Sequence, residues 1–292
     1  MQLVSDYMRD ETLRHRLNAL TRQAYGFDFE SWVTGGYFEG DYIPYSLLDE
    51  GGVMRSNVSA NRMQFLQNGV RRNYIQIGTV MTDASFRRRG LARTLMEYVL
   101  AQYESQCDGV YLFANLGALD FYRKLGFREG REYQYTLRAD ARPARAAGSF
   151  VPVDPADAPL RQRYLDTVRH GAVTAALEQE NKFGLQLFYT AGLEDVYYAA
   201  DLDCFAVLEQ DGELLRLQSV ISFAPVPLWE VLARIALPYA SLQLGFAPLP
   251  ADAALFEAAV YDGGDDYRLF FRGAALERIA EEMLLFPALS HA

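Results

Sequence analysis

The stretch Val80-Met-Thr-Asp-Ala-Ser-Phe-Arg-Arg-Arg-Gly-Leu-Ala-Arg-Thr-Leu-Met96 has the residue types and spacing to bind an anion. A strand-like run leads into a turn carrying Arg87, Arg88 and Arg89, and a helical pattern starts at Gly90. The first N–H groups of a helix lack internal partners and sit at the positive end of its dipole, where phosphate is stabilised. Gly90 would let a diphosphate approach the backbone, and the small Ala92, between Leu91 and Arg93, would keep the first turn open. No GxxxxGK[ST] loop is present, and no GxGxxG follows a strand, so ATP and NAD are poorly supported. A solvated basic turn is the plainer alternative.

The spacing Arg87-x-x-Gly90-x-Ala92 resembles the Q/R-x-x-G-x-G/A signature of the GCN5-related N-acetyltransferase (GNAT) superfamily. Further along, Ala118-Leu-Asp-Phe-Tyr-Arg-Lys-Leu-Gly-Phe127 is similar to that family's A-x-x-[FL]-Y-x-K-x-G-F element. The likeness covers roughly residues 2–138. It implies an α+β (α/β sandwich) fold, with a mixed central sheet flanked by helices, and acetyl-CoA as cosubstrate. The strands 74–82 and 110–115 would splay into a V-shaped cleft. Backbone groups of Val80 and Met81 would bond the pantetheine arm as an added strand does. The amides of Arg88 to Arg93 would hold the pyrophosphate. Asn115 would reach the cofactor, unless it caps the next helix. Tyr122 matches the tyrosine that protonates the departing thiolate, a task suited to a phenol with pKa near ~10; packing of the helix onto the sheet is its structural alternative.

The implied reaction is acetyl transfer to a primary amine, small molecule or peptide, by direct attack in a ternary complex. An acyl-CoA-binding protein that has lost catalysis, with an interaction or regulatory role, is the alternative. The chain departs from the family in one respect: Tyr74–Met81 holds no carboxylate to serve as base. The apolar end, Leu284 to Ala292, resembles in outline a two-domain acetyltransferase family that brings its terminal carboxylate into the active site, so Ala292 is expected to supply the missing group. Trp32 and Tyr37, in an aromatic and acidic stretch, are the other expected acceptor residues, although a core patch explains them equally well. No spacing of His, Cys or carboxylates suggests a metal.

Around these residues the pattern reads as a helix over 10–25, a hairpin over 45–59, a strand at 74–82 and a helix from Gly90. A strand at 110–115, a helix at 118–125 and a strand at 132–137 follow. At 292 residues, half of them hydrophobic, the chain is long enough for about two domains. The Ala-, Pro- and Arg-rich run 141–157 is the expected linker between a catalytic domain, 1–140, and a smaller α+β domain, 158–292. In the latter we expect helices at 158–180, 229–235 and 274–285, and strands within 196–223 and at 267–271. The hairpins 45–59 and 205–219 share a pattern, which suggests a degenerate GNAT-like half. The net charge of −10 argues against nucleic acid. Cys107 and Cys204 require no disulfide. The first residues lack a signal-peptide pattern and no run is apolar enough to span a membrane, so a cytoplasmic location is expected. The oligomeric state is not legible; a dimer is possible.

Overall fold

The structure, a computed structural model, describes residues 1–292. Strand β1 (Gln2–Ser5) precedes helix α1 (Glu11–Tyr25). The side chain of Asp10 accepts the Leu13 N–H to start α1, and left-handed Gly26 ends it by donating to the Arg22 carbonyl. After the short α2 (Glu30–Thr34) come three strands, β2 (Tyr42–Leu48), β3 (Met54–Gln67) and β4 (Val70–Thr82). The β3–β4 turn places Asn68 and Gly69 at φ 45° and 82°, the left-handed pair that a tight hairpin demands. Helix α3 (Leu91–Tyr103) buries Leu95, Met96, Val99 and Leu100 and leads to β5 (Gly109–Asn115), α4 (Leu119–Arg123) and β6 (Arg128–Glu129).

The second half begins in sheet terms at β7 (Glu132–Leu137). It continues through β8 (Val151–Pro152), α5 (Ala158–His170), β9 (Leu177–Gln179) and α6 (Phe183–Thr190). Next come β10 (Val196–Ala199), β11 (Cys204–Asp211), β12 (Leu214–Ser222), α7 (Leu228–Ala233) and β13 (Ser241–Leu244). The chain closes with β14 (Phe256–Tyr261), β15 (Tyr267–Arg272) and α8 (Arg278–Glu281). Two expected helices are shorter than their pattern. Residues 158–180 stop being helical at His170, where extended Gly171 breaks the run before β9. Residues 274–285 form a 3₁₀ turn and α8, after which Met283 turns left-handed (φ 54°) and Leu284, Leu285 and Phe286 enter the core outside any helix or strand.

One sheet runs β1-β2-β3-β4-β5-β15-β6, with β9 added beside β3; the other runs β14-β7-β13-β12-β11-β10-β8. Each contains one parallel pair joined across a helix: β4 to β5 through α3, and β12 to β13 through α7. The second half thus repeats the first in reduced form. The matching hairpin is β3–β4 rather than 45–59, because only β3–β4 runs straight into the crossover helix, as β11–β12 does. The halves also exchange strands. β15 lies against β5, pairing Tyr267 with Asn115, while β7 lies between β13 and β14. Residues 141–157 therefore divide the sequence without dividing the sheets. The largest core joins both halves, with Tyr74 and Tyr111 of the first against Leu217 and Phe286 of the second. No helix is long and apolar enough to cross a membrane.

Candidate active site

Parallel β4 and β5 pair only at Tyr74–Gly109, Ile75–Val110 and Gln76–Tyr111. Beyond those residues they part, leaving Gly78–Thr82 with Leu112, Phe113 and Asn115 to line a cavity of about 520 Å³. The divergence has a local cause. The β3 register slips between Asn57 and Ser59, opposite Thr79, which is left-handed at φ 41°. A β-branched residue there is strained. It is held by hydrogen bonds of its hydroxyl to Tyr42 (2.7 Å) and Ser59 (2.6 Å), and by its carbonyl accepting from Asn57 (3.0 Å).

At the open end the expected basic turn takes shape. Arg88 (φ 60°) and Gly90 (φ 80°) are both left-handed, and Gly90 caps α3. None of the backbone N–H groups from Arg88 to Arg93 has an acceptor in the protein. Six free amides curled around a helix start form an anion-binding concavity. The arginine side chains are exposed around it, with Arg87 reaching the Thr82 carbonyl and Arg89 stacked on Phe86 at 4.5 Å. Val80, Met81 and Ala92 line the cavity next to this turn, and so does Asn115, whose side chain makes no capping hydrogen bond. Sequence reasoning missed Tyr25, at the end of α1, whose hydroxyl donates to the Val80 carbonyl at 2.8 Å; an exposed aromatic at a helix end gives no such signal.

Tyr122 faces the cavity from α4, and its hydroxyl makes no hydrogen bond within the protein. Burial pushes its pKa well above the usual phenol value, so it is protonated at neutral pH. Trp32 also lines the cavity, buried, its Nε1 donating to the Gly184 carbonyl at 2.7 Å. Tyr37 does not. Its hydroxyl accepts from Arg161 at 2.6 Å and its ring packs on Phe183, so it serves the junction between halves. Ala292 lies in the cavity, against β4: a Cβ built on Gly78 would stand 2.6 Å from its main-chain oxygen. The segment before it is fixed at three points. Phe286 stacks on Tyr111 at 4.3 Å, its N–H donates to Glu132 at 2.9 Å, and His291 stacks on Phe113 at 3.7 Å. Burial lowers the His291 pKa to about 3, which keeps the ring neutral. The need for glycine at 78 and the roles of Tyr111, Phe113 and Glu132 depend on contacts across 150 or more residues, beyond any local pattern.

A parted strand pair that ends on free amides, with a protonated phenol over the same cavity, has the geometry to receive a ligand with an extended arm and a phosphate-like anion at its end. Residues 30–127 match the model of the Acetyltransferase (GNAT) family. No curated protein matches the chain. Among solved structures, a probable N-acyltransferase from Enterococcus faecalis V583 covers 95% of this chain and 73% of its own, at 16% identity and TM-score 0.55. A GCN5-related N-acetyltransferase from Kribbella flavida covers 93% and 71%, at 18% identity and TM-score 0.57. One from Anabaena variabilis covers 93% and 72%, at 16% and 0.54. Residues 30–127 thus match a GNAT acetyltransferase domain, and the fold of these solved structures extends over most of the chain.

Proposed function

We propose that this protein transfers an acetyl group from acetyl-CoA to a primary amine by direct attack in a ternary complex. The six unpartnered amides of Arg88–Arg93 beside the parted strands carry the proposal. They would hold the pyrophosphate, with Arg87, Arg88 and Arg89 adding positive charge in an acidic protein. The pantetheine would run along Val80 and Met81 within reach of Asn115. The amine nitrogen would attack the thioester carbonyl, the carbon–sulfur bond would break, and Tyr122 would give its proton to the leaving thiolate. Burial keeps that proton on the phenol before the thiolate forms, at the expense of its strength as a donor. The proton lost by the amine would pass to solvent in the cavity, since β4 offers no acidic side chain there, and Ala292 would wall that side against Gly78. Trp32 walls the acceptor side.

The test is mass spectrometry of amines incubated with the protein and acetyl-CoA, over a panel of arylalkylamines, polyamines, aminoglycosides, amino acids and peptides. Acetylated product that depends on the protein is expected. Tight acetyl-CoA binding with no product from any amine would instead fit an acyl-CoA-binding protein without catalysis.

A further inference from the structure

The acceptor side of the cavity is built by both halves. Phe27 comes from the loop after α1, Trp32 from α2 and Phe188 from α6. Phe188 meets Phe27 at 5.5 Å and Trp32 at 5.8 Å, edge to face in both cases. The Trp32–Gly184 hydrogen bond ties these two walls together. Two acidic side chains, Glu39 and Asp41, also line the cavity. Glu39 is bridged to Arg169, whereas Asp41 makes no ion pair and burial raises its pKa against the lowering effect of Asn181 and Arg62. Asp41 is thus the one lining carboxylate without an ion pair, enough for a single ammonium group and no array for several. Size acts in the same direction. Pockets of about 300–1000 Å³ hold one drug-sized ligand, and this one, about 520 Å³, must also receive the thioester end of the cofactor.

Taking the acetyl transfer proposed above as given, we infer that the acceptor is a compact arylalkylamine with a single positive charge, its ring held among Phe27, Trp32 and Phe188. Aromatic rings in edge-to-face contact favour a further ring beside them, and an indole face attracts a nearby ammonium group. Phe188 is then a specificity-determining residue, contributed by the half that lacks the pyrophosphate turn.

The experiment is calorimetry of 2-phenylethylamine and of spermidine on the full chain saturated with CoA, alongside product analysis with acetyl-CoA. We expect 2-phenylethylamine to bind about tenfold or more tightly than spermidine. Phe188→Ala should weaken 2-phenylethylamine by about tenfold and Phe188→Leu by less, with CoA affinity unchanged in both as the control for folding. Equal or tighter spermidine binding, or a Phe188→Ala variant that binds the aromatic amine as before, would overturn the inference. Preferred transfer to spermidine would sink it while leaving acetyl transfer intact. Binding of 2-phenylethylamine without transfer to any amine would do the reverse.

Discussion

Gly90 and Gly78 lack a side chain for different reasons, and their substitutions separate the two arms of the site. A Cβ at Gly90 meets nothing within 4 Å, but the residue is left-handed beside the free amides. Gly90→Glu should therefore cost only about 1–2 kcal/mol of backbone strain while its carboxylate repels the pyrophosphate. Calorimetry should find acetyl-CoA binding abolished in a folded protein; unchanged binding would place the cofactor elsewhere. A Cβ at Gly78 would collide with Ala292. Gly78→Ala should displace the tail and lower kcat by about 10- to 100-fold, with acetyl-CoA affinity retained; full turnover would show that this wall is not needed. Tyr122→Phe deletes only a hydroxyl and should lower turnover by about 10- to 10⁴-fold. Full activity would leave Tyr122 a packing residue. Gly90 and Tyr122 each stand in a motif contiguous in sequence, and Asn115 at the end of a strand found by pattern, so all three could be named from the sequence as site candidates. Gly78 could not, since the atom it makes room for lies 214 residues away.

Among the elements, β7 shows how a strand can be found by pattern and still be misplaced. Its alternation was legible as 132–137, but nothing in six residues says which sheet accepts them. Its neighbours are β13 and β14, and its first residue, Glu132, is buried with its carboxyl accepting from the Phe286 N–H. Burial raises its pKa from 4.5 to about 8. The folded chain therefore holds a proton that the unfolded chain releases above about pH 4.5, and stability declines as pH rises through that window toward 8. Glu132→Gln keeps an acceptor for Phe286 and removes the titration. The Tm of the variant relative to the native chain should climb between about pH 5 and about pH 8.5, read by differential scanning calorimetry. A constant difference would contradict this account. The last helix, expected to reach Leu285, was overread because Leu276, Ile279 and Leu284 are spaced as on a helix, yet Leu284 and Leu285 reach the core outside any helix. The hairpins and α3 were legible because their turn residues and apolar periods agree.

At the scale of the molecule, the exchanged strands make the halves interdependent. A fragment ending at residue 150 would leave β5 without β15 and β7 without its sheet. It should show no cooperative unfolding transition by circular dichroism; a cooperative, acetyl-CoA-binding fragment would show that the first half folds alone. The fold of the first half was readable because the motif and its flanking strands are local. The exchange was not, because β15 is the last strand in the sequence. Both halves meet at the cavity, where α6 and the tail face the parted strands. The account turns on direct transfer from acetyl-CoA to an amine at that junction. Rapid mixing of the protein with acetyl-CoA, following thiol release in the first turnover, tests it most directly. The prediction is no release above the buffer rate until an acceptor amine is added, then one equivalent per site. A burst of thiol without amine would reveal an acetylated enzyme instead of direct attack, and no release with any amine would contradict catalysis altogether.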